Sequence, residues 1–438
     1  MSIVVAKIDW RQLYTFASRQ ALLGFCFDGI ERLTKEFSEE LKQNPMRRDL
    51  LMTWMGAAQQ IRRQNMKVNA VAGKLYSKFR EDGLRCCILK GQGNALMYPN
   101  PYSRTSGDID IWIDASRERI MEYAQKRFEL GDDIRLQHLE TSLDGVPVEL
   151  HFFPCSMNNP IYHARLQKWF RRNVDLQCSH IVGLPDGAGD IAIPTTAFNV
   201  IYQLTHLYHH FFDEGIGMRQ IIDYFLVVND FSKNVFLDTD FSNHPINFSN
   251  HPVPLSKEGS TFSPSPSSSG SGDVTAPSRC SEPLRSKVGG ASKPSPDCAG
   301  WDRLAIEGDN SAGSATAVTS SASTALVVVQ RELKYLGLWK FARAVMYVLK
   351  EVLGLPEDKM IVPVDEKRGK LLLAEILNGG NFGQHFTQYG HFTQQGMAKK
   401  YFLKIWRNMH FVRYYPAEAL SEPIFRTWHF FWRMKNKK

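Results

Sequence analysis

Three acidic side chains stand out because they lie in two short segments that alternate like β-strands. Asp108 and Asp110 belong to DIDIWI, which starts at residue 108, and Glu149 belongs to VPVELHF, which starts at residue 146. Successive side chains of a strand point to opposite faces, so the two aspartates share one face. Their carboxylates repel each other, and a divalent cation such as Mg²⁺ or Mn²⁺ removes that repulsion. A two-metal phosphoryl-transfer site normally needs a further carboxylate on a neighbouring strand, and Glu149 supplies it.

A second group of residues is suited to binding the phosphates of a nucleotide. Lys90 and Gly91 stand where a strand ends and a helix begins, and the backbone N–H groups and dipole of a helix favour anions there. Arg104 and the Ser106-Gly107 turn precede the first aspartate and are further candidates for binding a triphosphate. The predicted nucleotide-binding residues are therefore Lys90, Gly91, Arg104, Ser106 and Gly107.

These side chains must be positioned by a small sheet between helical regions. Residues 8–82 have helical periodicity, and the period changes to that of a strand at 85–89. Ser116 is a plausible N-cap for the helix that follows the DIDIWI strand. A hairpin is predicted over 137–152, because Asp144-Gly145 is a favoured two-residue turn.

The expected fold class is α+β, a small mixed sheet flanked by helical N- and C-terminal domains, with a disordered insert. Between residues 256 and 325 about a quarter of the residues are Ser, a composition too poor in large apolar groups to offset the entropy of ordering. The predicted segments are an N-terminal helical region 1–84, an α/β core 85–155, a helical region 156–230, a low-complexity, mostly disordered insert 231–325 and a C-terminal helical region 326–438.

The net charge of +8 over 438 residues is concentrated at the C-terminus. From residue 395 onwards ten Lys and Arg face two Glu, so the rest of the chain is balanced. Three interpretations of this aromatic, basic tail stay open: packed helices with a solvated basic face, an RNA-binding surface, and association with an anionic membrane surface. An anionic partner is thus one prediction for the tail.

Several classes of protein are excluded or disfavoured by composition. The sequence contains no apolar run of about 20 residues, which argues against a transmembrane segment, and its start lacks the apolar region of a signal peptide. Seven cysteines lie scattered without a C-x-x-C pair, so a reducing, cytoplasmic location is expected. His206 and His210, one helical turn apart, allow a zinc site but more often form the polar edge of a core. Arg219 and Asp223 have the spacing of a helical ion pair.

The spaced motifs together resemble a known family. The pattern L-K-G…Y-P…R-x-x-G-D-I-D-I-W-I, starting at Leu89, followed by D-G-V-P-V-E-L-H, starting at Asp144, resembles an uncharacterised bacterial nucleotidyltransferase family. That family is part of the DNA-polymerase-β-like nucleotidyltransferase superfamily. One departure is that Gly91 is followed by Gln92 and Gly93, where superfamily members usually carry Gly-Ser or Gly-Gly.

The resemblance implies a nucleotidyltransferase core within 85–155 and a role for each acid. Asp108 and Asp110 would bind Mg²⁺ or Mn²⁺, and Glu149 would complete the catalytic triad. The implied reaction transfers a nucleoside monophosphate from a nucleoside triphosphate, such as ATP, to an acceptor hydroxyl and releases pyrophosphate. The acceptor is left open among a sugar, a protein and tRNA.

Other interpretations compete with this one. The aspartates are also compatible with a solvated strand edge, and Glu149 with a salt bridge to His151 or Arg104. At the level of function, the alternatives are a non-catalytic nucleotide- or partner-binding scaffold with a degenerate core, and a toxin-like nucleotidyltransferase that acts on tRNA or protein.

Overall fold

The computed structural model describes residues 7–237, 315–386 and 397–436, and the elements below belong to these ranges. The strands are β1 (Cys86–Leu89), β2 (Ile109–Ile113), β3 (Leu130–Ile134), β4 (His138–Leu143), β5 (Val146–His151), β6 (Ile181–Gly183) and β7 (Asp190–Ala192). The helices are α1 (Trp10–Arg19), α2 (Leu23–Glu36), α3 (Ser38–Gln43), α4 (Arg48–Glu81), α5 (Gly91–Ala95), α6 (Arg117–Arg127), α7 (Pro160–Ser179), α8 (Thr196–Asp213), α9 (Met218–Leu237), α10 (Ala315–Tyr335), α11 (Trp339–Leu353), α12 (Glu366–Gly379), α13 (Met397–Met409) and α14 (Pro416–Asn436). The architecture is the predicted α+β class.

Five strands form a mixed sheet in the order β1-β2-β5-β4-β3. Strands β2 and β5 are parallel, and the other neighbours are antiparallel. The parallel pair sets Asp110 opposite Glu149 as backbone partners. Paired residues of adjacent strands point to the same face, so the two carboxylates project from the sheet side by side.

One face of the sheet is the main hydrophobic core. The apolar side chains that alternate along the strands, among them Ile88, Ile111 and Leu150, pack with Leu75 and Phe79 of α4. All five of these residues are almost completely buried. Burial of this face forces the intervening residues of β2 and β5, including the acids, onto the opposite face.

The opposite face is apolar at one end and polar at the other. Trp112 stacks on Phe198 of α8 with ring centroids 6.1 Å apart, and Phe198 stacks on Trp169 of α7 at 4.5 Å. Helix α8 runs on along the sheet and brings Tyr202 and then His206 towards the acids, because positions four apart lie on the same side of a helix. Helices α7 and α8 therefore cover the face of the sheet that carries the acids.

Local turn and cap predictions are confirmed where the chemistry is short-range. The side chain of Ser116 accepts a hydrogen bond from the backbone N–H of Arg119 at the start of α6. Asp144 and Gly145 adopt φ values of 50° and 72°, as a two-residue hairpin turn of this kind requires. Strands β6 and β7 were missed because three residues carry little periodicity, and β3 was missed because its sequence, LGDDI, does not alternate between apolar and polar residues.

The predicted insert, 231–325, falls mostly outside the described residues. Helix α9 extends to Leu237, and α10 begins at Ala315, so helix enters both ends of that range. Residues 238–314 lie outside the described part of the chain. The five sequence-based segments remain a proposal.

The C-terminal helices α13 and α14 use part of their positive charge internally. Lys404 and Arg426 approach Asp213 of α8 at 3.2 Å and 2.7 Å. Arg407, only 2% exposed, lies 3.4 Å from Glu375. On the outer side of these helices large apolar residues are exposed, including Ile424 at 73%. The tail therefore combines a packed, ion-paired side with an exposed apolar side.

Candidate active site

His151 joins the two strands that carry the acids. Its Nε2 lies 3.0 Å from Oδ1 of Asp110 and 3.1 Å from Oε2 of Glu149. The imidazole is 1% exposed, and burial alone would lower its pKa. The two carboxylates outweigh burial and raise the pKa of His151 to about 9. A positively charged ring is therefore held between two acids of opposite strands.

Lys90 supplies a second positive charge from the other side of Asp110. Its Nζ lies 2.9 Å from Oδ1 of Asp110 and 2.8 Å from Nε2 of His206. The residue follows β1, whose last residue, Leu89, is the backbone partner of Asp110, and it takes a φ of 51°. Burial favours the neutral amine, but the carboxylates of Asp110, Asp108 and Glu149 outweigh it and raise the pKa of Lys90.

The predicted acids have different surroundings. Burial would raise the pKa of Asp110, but Lys90 and His151 hold it well below the usual range. Asp108 is exposed just before β2, and its pKa rises to about 6, chiefly because Asp110 repels its charge. Burial would also raise the pKa of Glu149, but the hydrogen bond to His151 outweighs it, so the pKa of Glu149 is lowered. The three carboxylates thus influence one another electrostatically, and two of them contact one histidine.

His138 enters this group from β4. It is the backbone partner of His151, and its Nδ1 lies 3.2 Å from Oε2 of Glu149. Burial, followed by the charge on His151, lowers the pKa of His138 to about 4, so its ring is neutral at pH 7. Within the described part of the chain, His138, Glu149 and His151 are the group of three or more His, Cys, Asp or Glu whose ligand atoms gather within 4.8 Å.

Sequence reasoning missed His138, although a signal for it was present. A two-residue turn at Asp144-Gly145 sets the register of the hairpin. That register places His138 across from His151 and on the face of Glu149. His206 was singled out only with His210, as a possible zinc pair, although it also continues the stripe of Phe198 and Tyr202 along α8.

The predicted nucleotide-binding residues divide into two groups. Lys90 touches the acids, and a side chain on Gly91 would point towards the backbone oxygen of Asp108, 3.9 Å away. Ser106, half-buried, and Gly107, exposed, immediately precede the same aspartate. These four residues border the acids at the open end of the sheet.

Arg104, by contrast, is turned away into a buried ion pair. It is 5% exposed, and its Nε and Nη2 each donate to Asp223 at 2.8 Å. The hydroxyl of Tyr98 donates to the same carboxylate at 2.7 Å. The predicted Arg219–Asp223 pair is replaced by this one, because Arg219 donates to the backbone oxygen of Thr105 at 2.9 Å instead.

The histidines predicted as an optional zinc helix have partners of their own. The Nε2 atoms of His206 and His210 lie 3.0 Å apart. The Nε2 atom of His206 also contacts Nζ of Lys90. Burial, with Lys90 adding to it, holds the pKa of His206 well below the usual range, so it is a neutral acceptor. Their contacts therefore extend the site from Asp110 through Lys90 to α8.

Comparison with known proteins agrees with this geometry. The model of the family described as "uncharacterised nucleotidyltransferase" matches residues 6–241, more than half of the chain. The chain belongs to this nucleotidyltransferase family. The matched range contains β1–β7, every acid of the site, and helices α7 and α8. The resemblance inferred from the motifs is confirmed.

Other comparisons add little to the family assignment. The chain is similar to a solved structure, that of an antigenic nucleotidyltransferase-like protein from Paracoccidioides brasiliensis, with 17% identity, a TM-score of 0.26, and coverage of 37% of this chain and 75% of that one. A TM-score this low carries no argument. None of the curated proteins matches the chain. Within residues 7–237, 315–386 and 397–436, every helix is too short or too polar to cross a membrane.

Proposed function

We propose that this nucleotidyltransferase uses Asp108, Asp110 and Glu149 to hold divalent metal, Mg²⁺ or Mn²⁺, and transfers a nucleoside monophosphate from a nucleoside triphosphate to an acceptor hydroxyl. The observation that carries the proposal is the contact of one buried imidazole with Asp110 and Glu149, which belong to adjacent parallel strands. That contact supports a shared cation-binding role, because it brings both carboxylates within 3.1 Å of a single positively charged group. Membership of the family supports the reaction class.

The donor set fits a hard divalent cation. Three carboxylates outnumber the nearby Lys90 and His151, and the repulsion that raises the pKa of Asp108 to about 6 is what an added cation would relieve. When bound, the ion would screen the charge of the triphosphate and ease deprotonation of the acceptor.

The chain's own residues would orient the reactants. Lys90, beside Asp110 and at the end of β1, is placed to offer its charge to a phosphate oxygen. Gly91 and the Ser106-Gly107 turn leave room for phosphates beside Asp108. His151 positions the carboxylates of Asp110 and Glu149 relative to each other.

The bonds that change follow from the reaction class. The acceptor oxygen bonds to the α-phosphorus, the bond from that phosphorus to the bridging oxygen breaks, and pyrophosphate leaves with the electron pair. Glu149 or Asp110 accepts the proton of the acceptor hydroxyl. Arg104 is engaged with Asp223 and would act by shaping the loop before Asp108.

The acceptor remains a sugar, a protein or tRNA. Asp213 takes up Lys404 and Arg426, which leaves less of the tail's charge for an RNA or an anionic membrane than the sequence alone predicts. A toxin-like enzyme that acts on tRNA or protein would use the same proposed chemistry. A non-catalytic scaffold is the competing alternative, because it would bind a nucleotide or partner without transferring a group.

The test is labelling with each of the four α-³²P nucleoside triphosphates, Mg²⁺ or Mn²⁺, and fractionated cell extract. We expect label in one class of acceptor with the unaltered protein, and loss of label with Asp110→Asn. Asp114→Asn is the matched control, because Asp114 follows the last residue of β2 and its carboxylate pairs with Arg85. Equal labelling by Asp110→Asn and the control would refute the assignment, and no labelling by any form would favour the scaffold.

A further inference from the structure

His138 is a buried histidine whose ring nitrogens have no role in the proposed reaction. Its side chain is 9% exposed. Among the described residues, none forms a hydrogen bond with Nδ1 or Nε2, although Nδ1 lies 3.2 Å from Glu149. A buried polar group without a hydrogen bond costs about 1–3 kcal/mol. Nδ1 therefore faces the acids at a cost that a ligand would remove.

The atoms around Nδ1 have the spacing of ligands in a metal shell. Nδ1 of His138 is 3.2 Å from Oε2 of Glu149, which is 3.1 Å from Nε2 of His151, and that nitrogen is 3.0 Å from Oδ1 of Asp110. Ligands bound tetrahedrally at about 2.0–2.1 Å lie roughly 3.3 Å from one another. The ligand atoms of His138, Glu149 and His151 all lie within 4.8 Å of one another, and Asp110 touches this group through His151. These three side chains could thus close on one ion with small movements.

We propose that His138, Glu149 and His151, with Asp110 beside them, form a site for a divalent transition-metal ion that discriminates against Mg²⁺. Two imidazole nitrogens suit Zn²⁺ or Co²⁺, whereas Mg²⁺ and Mn²⁺ prefer oxygen ligands. The ion takes the place of the proton on Nε2 of His151, which is released to solvent.

The inference concerns which cation occupies one end of the site, and only its catalytic consequence rests on the proposed function. Asp108 lies two residues before Asp110, is exposed and, like Asp110, is outside the group of gathered ligand atoms. An ion held by the histidines would therefore share Glu149 with an ion held through Asp108 and would differ from it in its two imidazole ligands.

The test measures metal binding by the full chain after chelation, without nucleotide. Co²⁺, Zn²⁺, Mn²⁺ and Mg²⁺ are titrated calorimetrically, and the visible absorption of bound Co²⁺ reports its geometry. We expect one Co²⁺ or Zn²⁺ per chain, with a four-coordinate Co²⁺ spectrum that a large excess of Mg²⁺ does not abolish. Displacement of Co²⁺ by equimolar Mg²⁺ would overturn the proposal.

The decisive variant is His138→Gln, which should weaken Zn²⁺ and Co²⁺ binding at least about 100-fold, since even outer partners of a metal site are worth 10–100-fold. His180→Gln is the matched control, because His180 is half-buried and bonds to the backbone oxygen of Ile193. Unchanged binding by His138→Gln would also overturn the proposal. If that variant does not fold, the Mg²⁺ competition on the unaltered chain decides.

The two proposals fail in different ways. Absence of nucleotide turnover with intact, His138-dependent Zn²⁺ binding would refute the proposed reaction and leave the metal site. Turnover that requires Asp110, with Zn²⁺ binding indifferent to His138, would do the reverse.

Discussion

The sheet site and the Arg104–Asp223 pair both bury carboxylates, yet their charges are organised differently. Asp223 faces one guanidinium through two hydrogen bonds of 2.8 Å and receives the hydroxyl of Tyr98. In the sheet site, Asp110 and Glu149 share one imidazole, and Asp108 stands exposed with a pKa raised to about 6. In the Arg104–Asp223 pair one negative charge is balanced by one positive charge. In the sheet site three carboxylates outnumber the two positive groups, Lys90 and His151.

The difference separates a structural use of charge from a functional one. A matched, buried pair gains from staying closed, because removal of either partner leaves an uncompensated charge. Carboxylates in excess repel one another until a cation binds between them. Such a cluster therefore lowers the stability of the fold but favours the binding of a cation. Arg104, predicted to bind phosphate, belongs on this basis to the architecture that supports the loop before Asp108.

The largest expected effect comes from neutralising the exposed acid. Asp108→Asn should lower nucleotide transfer at least about 10⁴-fold, which corresponds to about 5 kcal/mol of transition-state stabilisation. The reason is that it removes a proposed metal ligand. Initial rates with the labelled nucleoside triphosphate measure it, and Asp114→Asn, at the other end of β2 and paired with Arg85, is the control. Transfer within tenfold of the unaltered chain would remove Asp108 from the catalytic group.

Breaking the matched pair should affect folding instead. Asp223→Asn leaves Arg104 buried without its countercharge, and we expect a loss of about 4 kcal/mol in the free energy of unfolding. Urea denaturation measures that loss. The double variant Arg104→Gln/Asp223→Asn should lose less than the sum of the two single variants, because the charges act on each other. Additive losses would show that the pair is not coupled.

A third acid, Glu418, offers a pH test outside both regions. It is 1% exposed, its Oε1 accepts from the backbone N–H of Asn158 at 2.6 Å, and burial raises its pKa to about 7. Between about pH 4.5 and 7 the folded chain therefore binds more protons than the unfolded chain, so stability falls as pH rises through this window. The contribution is on the order of 3 kcal/mol.

Glu418→Gln should flatten that part of the pH dependence. Urea denaturation of both proteins at pH 5, 6 and 7.5 measures the slope. Glu140→Gln, whose carboxylate is partly exposed, serves as the control. Parallel pH profiles for Glu418→Gln and the unaltered chain would contradict the assignment of the slope to this carboxyl.

The smallest expected effect sharpens the contrast most directly. In metal-free buffer Asp108→Asn should leave the free energy of unfolding unchanged or raise it by up to about 1 kcal/mol, because it relieves repulsion by Asp110. The same substitution thus abolishes transfer without weakening the fold, whereas Asp223→Asn weakens the fold. Thermal unfolding without divalent metal provides the measurement. A clear loss of stability in Asp108→Asn would place that acid with the structural pair.

Much of the local structure was predictable from short-range chemistry. The Asp144-Gly145 turn, the Ser116 cap and the alternation around Asp110 each depend on a few neighbouring residues, and each is present in the structure. The sharing of a face by Asp110 and Glu149 followed from alternation once the apolar side was taken as the core. These predictions succeeded because strand and turn geometry have short periods.

The partners of the charged groups were not predictable in the same way. Lys90 meets His206 across 116 positions of the chain, and Arg104 meets Asp223 across 119. The spacing of the sequence predicted an ion pair between Arg219 and Asp223. In the structure Arg104, from the loop before β2, forms the ion pair with Asp223 of α9 instead.

The sequence by itself determined β1, β2, the β4–β5 hairpin and the acids that lie on one face, since the forces responsible act between near neighbours. Only the tertiary structure decided which cation faces which acid, including Lys90 for Asp110 and Arg104 for Asp223. Those pairings depend on how helices and strands distant in sequence pack around a common core, and local periodicity carries no record of that packing.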